Sequence, residues 1–170
     1  CSVIVIRVPC AIAGWAFLGA CHVWCACSIE HMATVTVDGV ADAAQGADID
    51  AFVKDVTYNV EDDANDIAAE LSGSNDQLDE AVSVTVTGGT VDVADAAAIQ
   101  GISGYVDSTA SSYDIVDSAS AIVGATDAIL NTGGVATVTV SGVADAEQGA
   151  DIDAFAKDVT YNVEDDANDI

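Results

Sequence analysis

An internal repeat constrains the fold of this chain more than any other feature. Residues 33–67 and 136–170 carry almost the same sequence, and the second copy begins 103 positions after the first. The copies differ only where Asp38 becomes Ser141, Ala44 becomes Glu147 and Val53 becomes Ala156. Self-similarity at a fixed period is typical of solenoids and repeat arrays, so we expect stacked copies of one unit.

A weaker repeat lies between the two strong copies. Three short sequences recur in it: VTVTG at 84–88 (compare 35–39 and 138–142), VADA at 93–96 (compare 40–43 and 143–146), and residues 113–122 (compare 58–67). The unit is therefore about 51 residues long, and two strand-like signals in each unit predict an elementary turn of roughly 25 residues.

These periods divide the chain into a non-repeat segment, 1–32, and a repeat region, 33–170. The units are expected at about 33–81, 82–135 and 136–170, of which the last is incomplete. A terminal repeat of a solenoid normally changes its sequence to cap the exposed core, and residues 136–170 show no such change. We therefore expect the chain to be a fragment of a longer one.

Each unit begins with a strand signal followed by a helix signal. Residues 34–37 alternate β-branched side chains, which predicts a short strand. Gly39 then permits a turn, and Asp42 suits the N-cap of the first helix. Gly46 weakens the middle of that helix. The helical spacing predicts core-facing side chains at Ile49, Phe52, Val53 and Val56.

The second half of the unit repeats the alternation. Val56, Tyr58 and Val60 share one face of a predicted strand, and Asp62 or Asp63 is expected to cap a second helix. A short helical piece at 77–81 leads into a strand at 82–87. The predicted fold class is α/β, an open solenoid of short parallel strands alternating with short helices. An ordinary doubly wound sheet is the alternative.

The charge of the chain excludes several classes of partner. Three Lys and Arg residues stand against 29 Asp and Glu, for a formal net charge of −26. This balance argues against nucleic acids and anionic membrane surfaces, and favours cations, basic partners or solubility in salty water. The repeats contain no apolar run long enough to span a bilayer. A hydrophobic fraction of 51% with regular spacing predicts a folded repeat region.

Residues 1–32 differ abruptly from the repeats. All five cysteines, both histidines, both tryptophans and the only proline lie there. Four interpretations stay open: non-native sequence from a wrong frame or assembly error; a targeting segment, with Cys21 of the LGAC sequence acylated as in lipoproteins; a membrane helix, which Arg7 and Pro9 disfavour; or a zinc site. The zinc ligands would be Cys21, His22, Cys25, Cys27 and His31, whose spacing is atypical.

The repeat pattern resembles a known group of proteins. The carrying sequences are VTVTG at 84–88, VADAAAI at 93–99 and YDIVDSASAI at 113–122. They resemble repeats of very large bacterial extracellular proteins, many from aquatic species, described as adhesin-like or calcium-binding. The resemblance covers residues 33–170 and implies a cell-surface or extracellular location. The G-G-x-G-x-D calcium nonapeptide that often accompanies such repeats is absent here.

Acidic side chains are the only candidate ligands in the repeats. Calcium prefers six to eight oxygen ligands on an adaptable loop, and an Asp-rich turn between strand and helix could supply several. No other cofactor is expected. The candidates are Asp48, Asp50, Glu61, Asp62, Asp63 and Asp66, with their copies Asp151, Asp153, Glu164, Asp165, Asp166 and Asp169. In the central unit only Asp117 remains, at the position of Asp62, which favours a capping role for Asp62, Asp117 and Asp165.

The repeats offer little for catalysis. They have no histidine or cysteine to activate the abundant Ser and Thr hydroxyls, and Tyr58, Tyr113 and Tyr161 recur at equivalent positions, which indicates packing. We therefore predict a structural or adhesive repeat module, not an enzyme, whose partners are neighbouring repeats and a surface ligand. The alternatives are a calcium-binding module stiffened by ions, and a fragment of a polysaccharide-active enzyme.

Overall fold

The protein is a mixed α/β structure of short strands and short helices. The computed structural model describes residues 5–7, 35–51, 56–72 and 78–166. The strands are β1 Val5–Arg7, β2 Val35–Asp38, β3 Val56–Thr57, β4 Asn59–Asp62, β5 Ser83–Val86, β6 Thr90–Val91, β7 Tyr113–Asp117, β8 Val135–Val140 and β9 Val159–Thr160. The helices are α1 Ala43–Asp50, α2 Ala64–Leu71, α3 Val93–Gly101, α4 Ala119–Gly124, α5 Asp127–Leu130 and α6 Ala146–Ile152.

Every strand pairing between residues 35 and 166 that the structure describes is parallel. Pairs form between β2 and β3, β4 and β5, β6 and β7, β7 and β8, and β8 and β9. Isolated parallel bridges join Ala41 to Val60, Val84 to Tyr105 and Ala144 to Val163. Partners in these pairs lie about 19 to 24 residues apart in sequence, so each crossover has room for one short helix. The predicted strand and helix alternation is confirmed.

One antiparallel strand lies outside the repeats. In β1, Val5 pairs with Asp38 and Arg7 pairs with Thr36, along the edge of β2. The four interpretations of residues 1–32, including the acylated Cys21 and the zinc ligands, otherwise fall outside the described residues.

Every described helix except α5 begins at a side chain that accepts a backbone N–H group. Asp42 accepts the amide of Gln45 at 2.8 Å, and the Gln45 side chain accepts the amide of Asp42, which forms a capping box. Asp145 and Gln148 repeat this box in the second copy. The predicted N-cap at Asp42 is confirmed. Of the two candidates for α2, Asp63 is the N-cap.

Two predictions about helices are corrected: one helix ends earlier than predicted, and one predicted helical segment contains a turn. Helix α1 ends at Asp50, because the chain turns at Ala51 and Val56 already belongs to β3. Phe52 and Val53 lie outside the described residues. Of the segment 77–81, residues 78–81 are described: 78–80 form a turn, and no residue from 78 to 82 is helical.

The helix N-caps also correct the repeat alignment in the central unit. The VADA echo pairs Asp95 with Asp42, but the N-cap of α3 is Asp92. Seven positions after each of the N-caps Asp42, Asp92 and Asp145 lies a buried isoleucine: Ile49, Ile99 and Ile152. In the central unit the helix therefore starts three residues earlier than the comparison of the VADA sequences predicts.

The core lies between strands and helices. Alternate strand side chains are buried, as the predicted alternation of Val56, Tyr58 and Val60 requires. The most enclosed strand residues also include Val84, Val86, Tyr113, Ile115 and Val138, and the helices add Ile67, Ile99 and Ile122. Burial of each isoleucine stabilises the fold by about 1.5–3 kcal/mol.

Candidate functional site

Asp62 joins two turns of the chain. It ends β4, and its two carboxylate oxygens accept two different amides. Oδ2 accepts the N–H of Ala43, the first residue of α1, at 2.9 Å, and Oδ1 accepts the N–H of Asp63 at 2.9 Å. The first amides of a helix have no intrahelical acceptor and carry partial positive charge. Asp62 therefore caps the helix of the preceding turn while it stays fixed in its own strand.

The same pair of bonds recurs at the two equivalent residues. Asp117 accepts the amides of Val93 at 3.1 Å and Ser118 at 2.7 Å, and Asp165 accepts those of Ala146 at 2.9 Å and Asp166 at 2.8 Å. We call Asp62, Asp117 and Asp165 the aspartate clamps. The predicted capping role is confirmed, but it acts on the preceding helix, not on the helix that follows.

In the first unit, the helix that follows the clamp is held by a second arrangement. The first amide of α2, at Ala64, donates to the carbonyl oxygen of Gly88 at 2.9 Å. Gly88 and Gly89 have φ of 148° and 91°, values that favour glycine. Here a backbone oxygen in a glycine turn replaces the carboxylate. In the first unit, the starts of α1 and α2 are thus both held by later segments of the chain.

Asp62→Ala should destabilise the fold by about 1–2 kcal/mol. It leaves the amides of Ala43 and Asp63 without their acceptor, and such bonds to a charged group are stronger than neutral ones. Urea unfolding followed by circular dichroism measures the change. The matched control is Glu61→Ala, which removes an exposed carboxylate from the adjacent position. An equal effect of both substitutions would show that charge, not the clamp, matters.

The clamp of the first unit, Asp62, also belongs to an acidic group. One carboxylate oxygen from each of Asp62, Asp63 and Asp66 lies within 4.8 Å of the others. Among the described residues this is the only such group of three or more Asp, Glu, His or Cys side chains. A cleft of about 390 Å³ beside it is lined in part by Asp42 and Glu70. Hard oxygen ligands in this arrangement could hold a calcium ion if water or further carboxylates completed the shell.

Like charge dominates the electrostatics of this group. The carboxylates of Asp63 and then Asp62 raise the pKa of Asp66 above its ordinary value. Asp66 therefore binds its proton more tightly in the folded chain than in the unfolded chain. Stability then falls as pH rises from the ordinary aspartate pKa of about 3.9 through the raised value.

Asp66→Asn should make the protein more stable than wild type at pH 7. The advantage should disappear below the ordinary aspartate pKa, where residue 66 is uncharged in both proteins and both states. Unfolding midpoints in urea between pH 3 and pH 7 measure it. Asp48→Asn, which removes an exposed charge outside the acidic group, is the control. A larger gain from Asp48→Asn would contradict the attribution to Asp62 and Asp63.

The other predicted ligands do not join this group. Asp48 and Asp151 are exposed on α1 and α6, Glu61 is exposed in β4, and Glu164 is exposed next to the bridge residue Val163. In the second copy Asp165 is a clamp, Asp166 is exposed and Asp169 falls outside the described residues.

Asp50 and Asp153 have a role that the sequence did not suggest. Each accepts the hydroxyl of a tyrosine in the next turn: Tyr58 donates to Asp50 at 3.2 Å, and Tyr161 to Asp153 at 2.6 Å. Burial and then the charge of Asp50 raise the pKa of Tyr58. In the central unit the equivalent residue is Gln100, whose Nε2 donates to the Tyr113 hydroxyl at 2.8 Å.

The residues that bond the tyrosines could have been found from their position in the repeat. Asp50, Gln100 and Asp153 all stand eight residues after a helix N-cap, and a tyrosine follows each. The predicted packing role of the tyrosines holds for Tyr58 and Tyr113, each 1% exposed, whereas Tyr161 is only half-buried.

Comparisons with protein-family models, curated proteins and solved structures found no match. Within the described ranges, no helix has the length and apolar character needed to cross a bilayer.

Proposed function

We propose that this chain is a structural, adhesive repeat module of a secreted or cell-surface protein, built as an open stack of strand and helix turns. The observation that carries the proposal is the order of the parallel pairings. In each described pairing after β1, a strand segment pairs with the next segment along the chain. A chain of this kind extends along one direction as turns are added.

The clamps support the same proposal. Each connects a strand end to the helix start of the turn before it, so neighbouring turns share hydrogen bonds as well as apolar contacts. Repetition of one bonding pattern in three places is what a spacer needs, whereas a catalytic centre needs one unique arrangement. The net charge of −26 keeps such a spacer dispersed in salty water.

Small-angle X-ray scattering tests the stacking. Three proteins are compared, which carry one, two or three tandem copies of residues 33–135 followed by a single copy of 136–170. Their maximum dimension should increase in equal steps. Each added copy contributes four strands at about 4.8 Å spacing, or roughly 19 Å. A maximum dimension that grows only as the cube root of mass would refute the open stack and favour a doubly wound sheet. Hydrolysis of a polysaccharide by the purified chain would refute the absence of catalysis.

A calcium-binding module is the second candidate, and the acidic group at Asp62, Asp63 and Asp66 favours it. Two members of this group already accept backbone amides. Asp62 is a clamp, and Asp63 accepts the amides of Asn65 and Asp66 at 2.8 and 3.1 Å. An ion would therefore bind through the remaining lone pairs, and its charge would offset the repulsion on Asp66.

If calcium binds the folded chain specifically, submillimolar calcium should raise the melting temperature by more than sodium chloride at matched ionic strength. Circular dichroism melts with calcium, with chelator and with sodium measure this. The matched variant carries Glu61→Val, Asp63→Ser and Asp66→Ala, which are the residues of the central unit at these positions and keep a helix-capping serine. Equal rises with both salts, or an unchanged calcium response in the variant, would exclude specific sites here.

A further inference from the structure

The last described turn presents a face that the first copy keeps covered. Val159, Tyr161 and Val163 repeat Val56, Tyr58 and Val60. Val60 is 1% exposed, but Val163 is 48% exposed. In the first copy β4, residues 59–62, pairs on with β5, whereas no described strand lies on that side of the counterpart residues 162–165. We call Gly149, Val159, Tyr161 and Val163 the open face.

The first copy shows what fits on such a face. There, Val60 pairs in parallel with Val84, and the amide of Val82 donates to the carbonyl oxygen of Tyr58 at 2.9 Å. Leu78, fully buried, lies over Gly46: a Cβ at Gly46 would stand 2.9 Å from the leucine Cδ2.

In the first copy, Leu78, Val60 and Tyr58 surround the space beside Gly46. At the open face, the space beside Gly149 is bounded by two equivalent side chains. A Cβ at Gly149 would stand 3.2 Å from Val163 Cγ2 and 3.3 Å from Tyr161 Cε2, as Gly46 is bounded by Val60 and Tyr58. Among the described residues no leucine occupies the third position. The position lacks a Cβ in both copies, so a leucine side chain has room to enter beside Gly149.

We propose that the open face docks a further strand of the repeat type, with an aliphatic residue followed six positions later by a Val-x-Val sequence, as in residues 78–86. This inference rests on the proposed stacking of turns. The strand adds in parallel to residues 162–165, its leucine fills the pocket at Gly149, and its first valine covers Val163, as Val84 covers Val60. Main-chain bonds supply affinity and the leucine pocket supplies selectivity.

Charge sets the conditions for docking. Residues 78–86 carry Asp79 and Glu80, and they approach a chain of net charge −26. Repulsion between exposed like charges falls as salt shortens the Debye length to about 8 Å at 0.15 M. Docking is therefore stronger at physiological salt than at low ionic strength.

A tethered segment tests the proposal at high effective concentration. Residues 68–91 are appended after Ile170, which reproduces the contiguous sequence of the first copy. The control carries L78D and V84D in the appended segment only. The readout is amide hydrogen exchange at Val163. The neighbouring Glu164 amide donates to the carbonyl oxygen of Ala144, so strand alternation directs the Val163 N–H away from Ala144.

The appended segment should slow exchange at Val163 by about tenfold or more, and the control segment should not. Equal exchange with both segments, or no slowing with either, would overturn the docking. Concentration-dependent protection of Val163 in the unextended chain would overturn it too, because a second copy would then hold the face. Val60 is the internal reference: fast exchange there refutes the stacking itself, whereas slow exchange there with an unprotected Val163 refutes only the docking.

Discussion

Leu78→Ala is expected to lower the free energy of unfolding by about 2–5 kcal/mol, the usual cost of emptying a fully buried leucine site. The side chain is 0% exposed and fills the space above Gly46, next to Val60 and Tyr58. Glycine cannot extend into the vacated volume, so the cavity should collapse little. Urea unfolding of the full chain measures the loss.

Val82→Ala is the matched control for that result. Val82 lies four residues later in the same connection and is 61% exposed. Its truncation should change stability by no more than about 0.5 kcal/mol. A loss below about 1 kcal/mol in Leu78→Ala would mean that the connection does not pack on α1 as described.

Gly104→Ala should destabilise the protein by at least about 1–3 kcal/mol, the range for overpacked sites. An added Cβ would collide with the carbonyl oxygen of Ala81 and lie 3.3 Å from the Val82 carbonyl carbon. Both are backbone atoms beside β5, where the amide of Val84 donates to the Gly104 oxygen at 2.8 Å. Neither can rotate away as a side chain could, so the bond between the two turns must lengthen.

Gly101→Ala separates this clash from the general effect of replacing glycine. Gly101 ends α3, is exposed, and has open space where its Cβ would be. Alanine there should be neutral or stabilising by up to about 1 kcal/mol. If thermal and urea unfolding show equal losses for both variants, the close approach at Gly104 is wrong.

Local signals in the sequence predicted the local structure well. Asp42 was recognisable as an N-cap because an aspartate directly before a helix is a common cap, and the capping box with Gln45 was seen only in the structure. The alternation of Val56, Tyr58 and Val60 gave the buried strand face. The end of α1 was missed because its apolar spacing continues into Val56, which the next strand uses instead.

Contacts between turns were beyond sequence reasoning. Asp62 was expected to cap a neighbouring helix, but its partner, Ala43, lies 19 residues earlier. Asp50 was grouped with possible ion ligands, yet it accepts the hydroxyl of Tyr58. Gly46 looked like a weak point in a helix, and the close approach of Leu78 explains its small size. Each depends on which turn lies alongside, which no local pattern encodes.

The aspartate clamps also bear on how such a chain can change length over generations. Clamp and helix start lie 19 positions apart in sequence at Asp62, 24 at Asp117 and 19 at Asp165. The bond is to a backbone amide, so Ala43, Val93 and Ala146 serve equally well. An insertion between the two points, or a gene duplication in whole units, leaves every bond with both partners. Descendants can therefore diverge in loops and in copy number while the clamp bonds are kept.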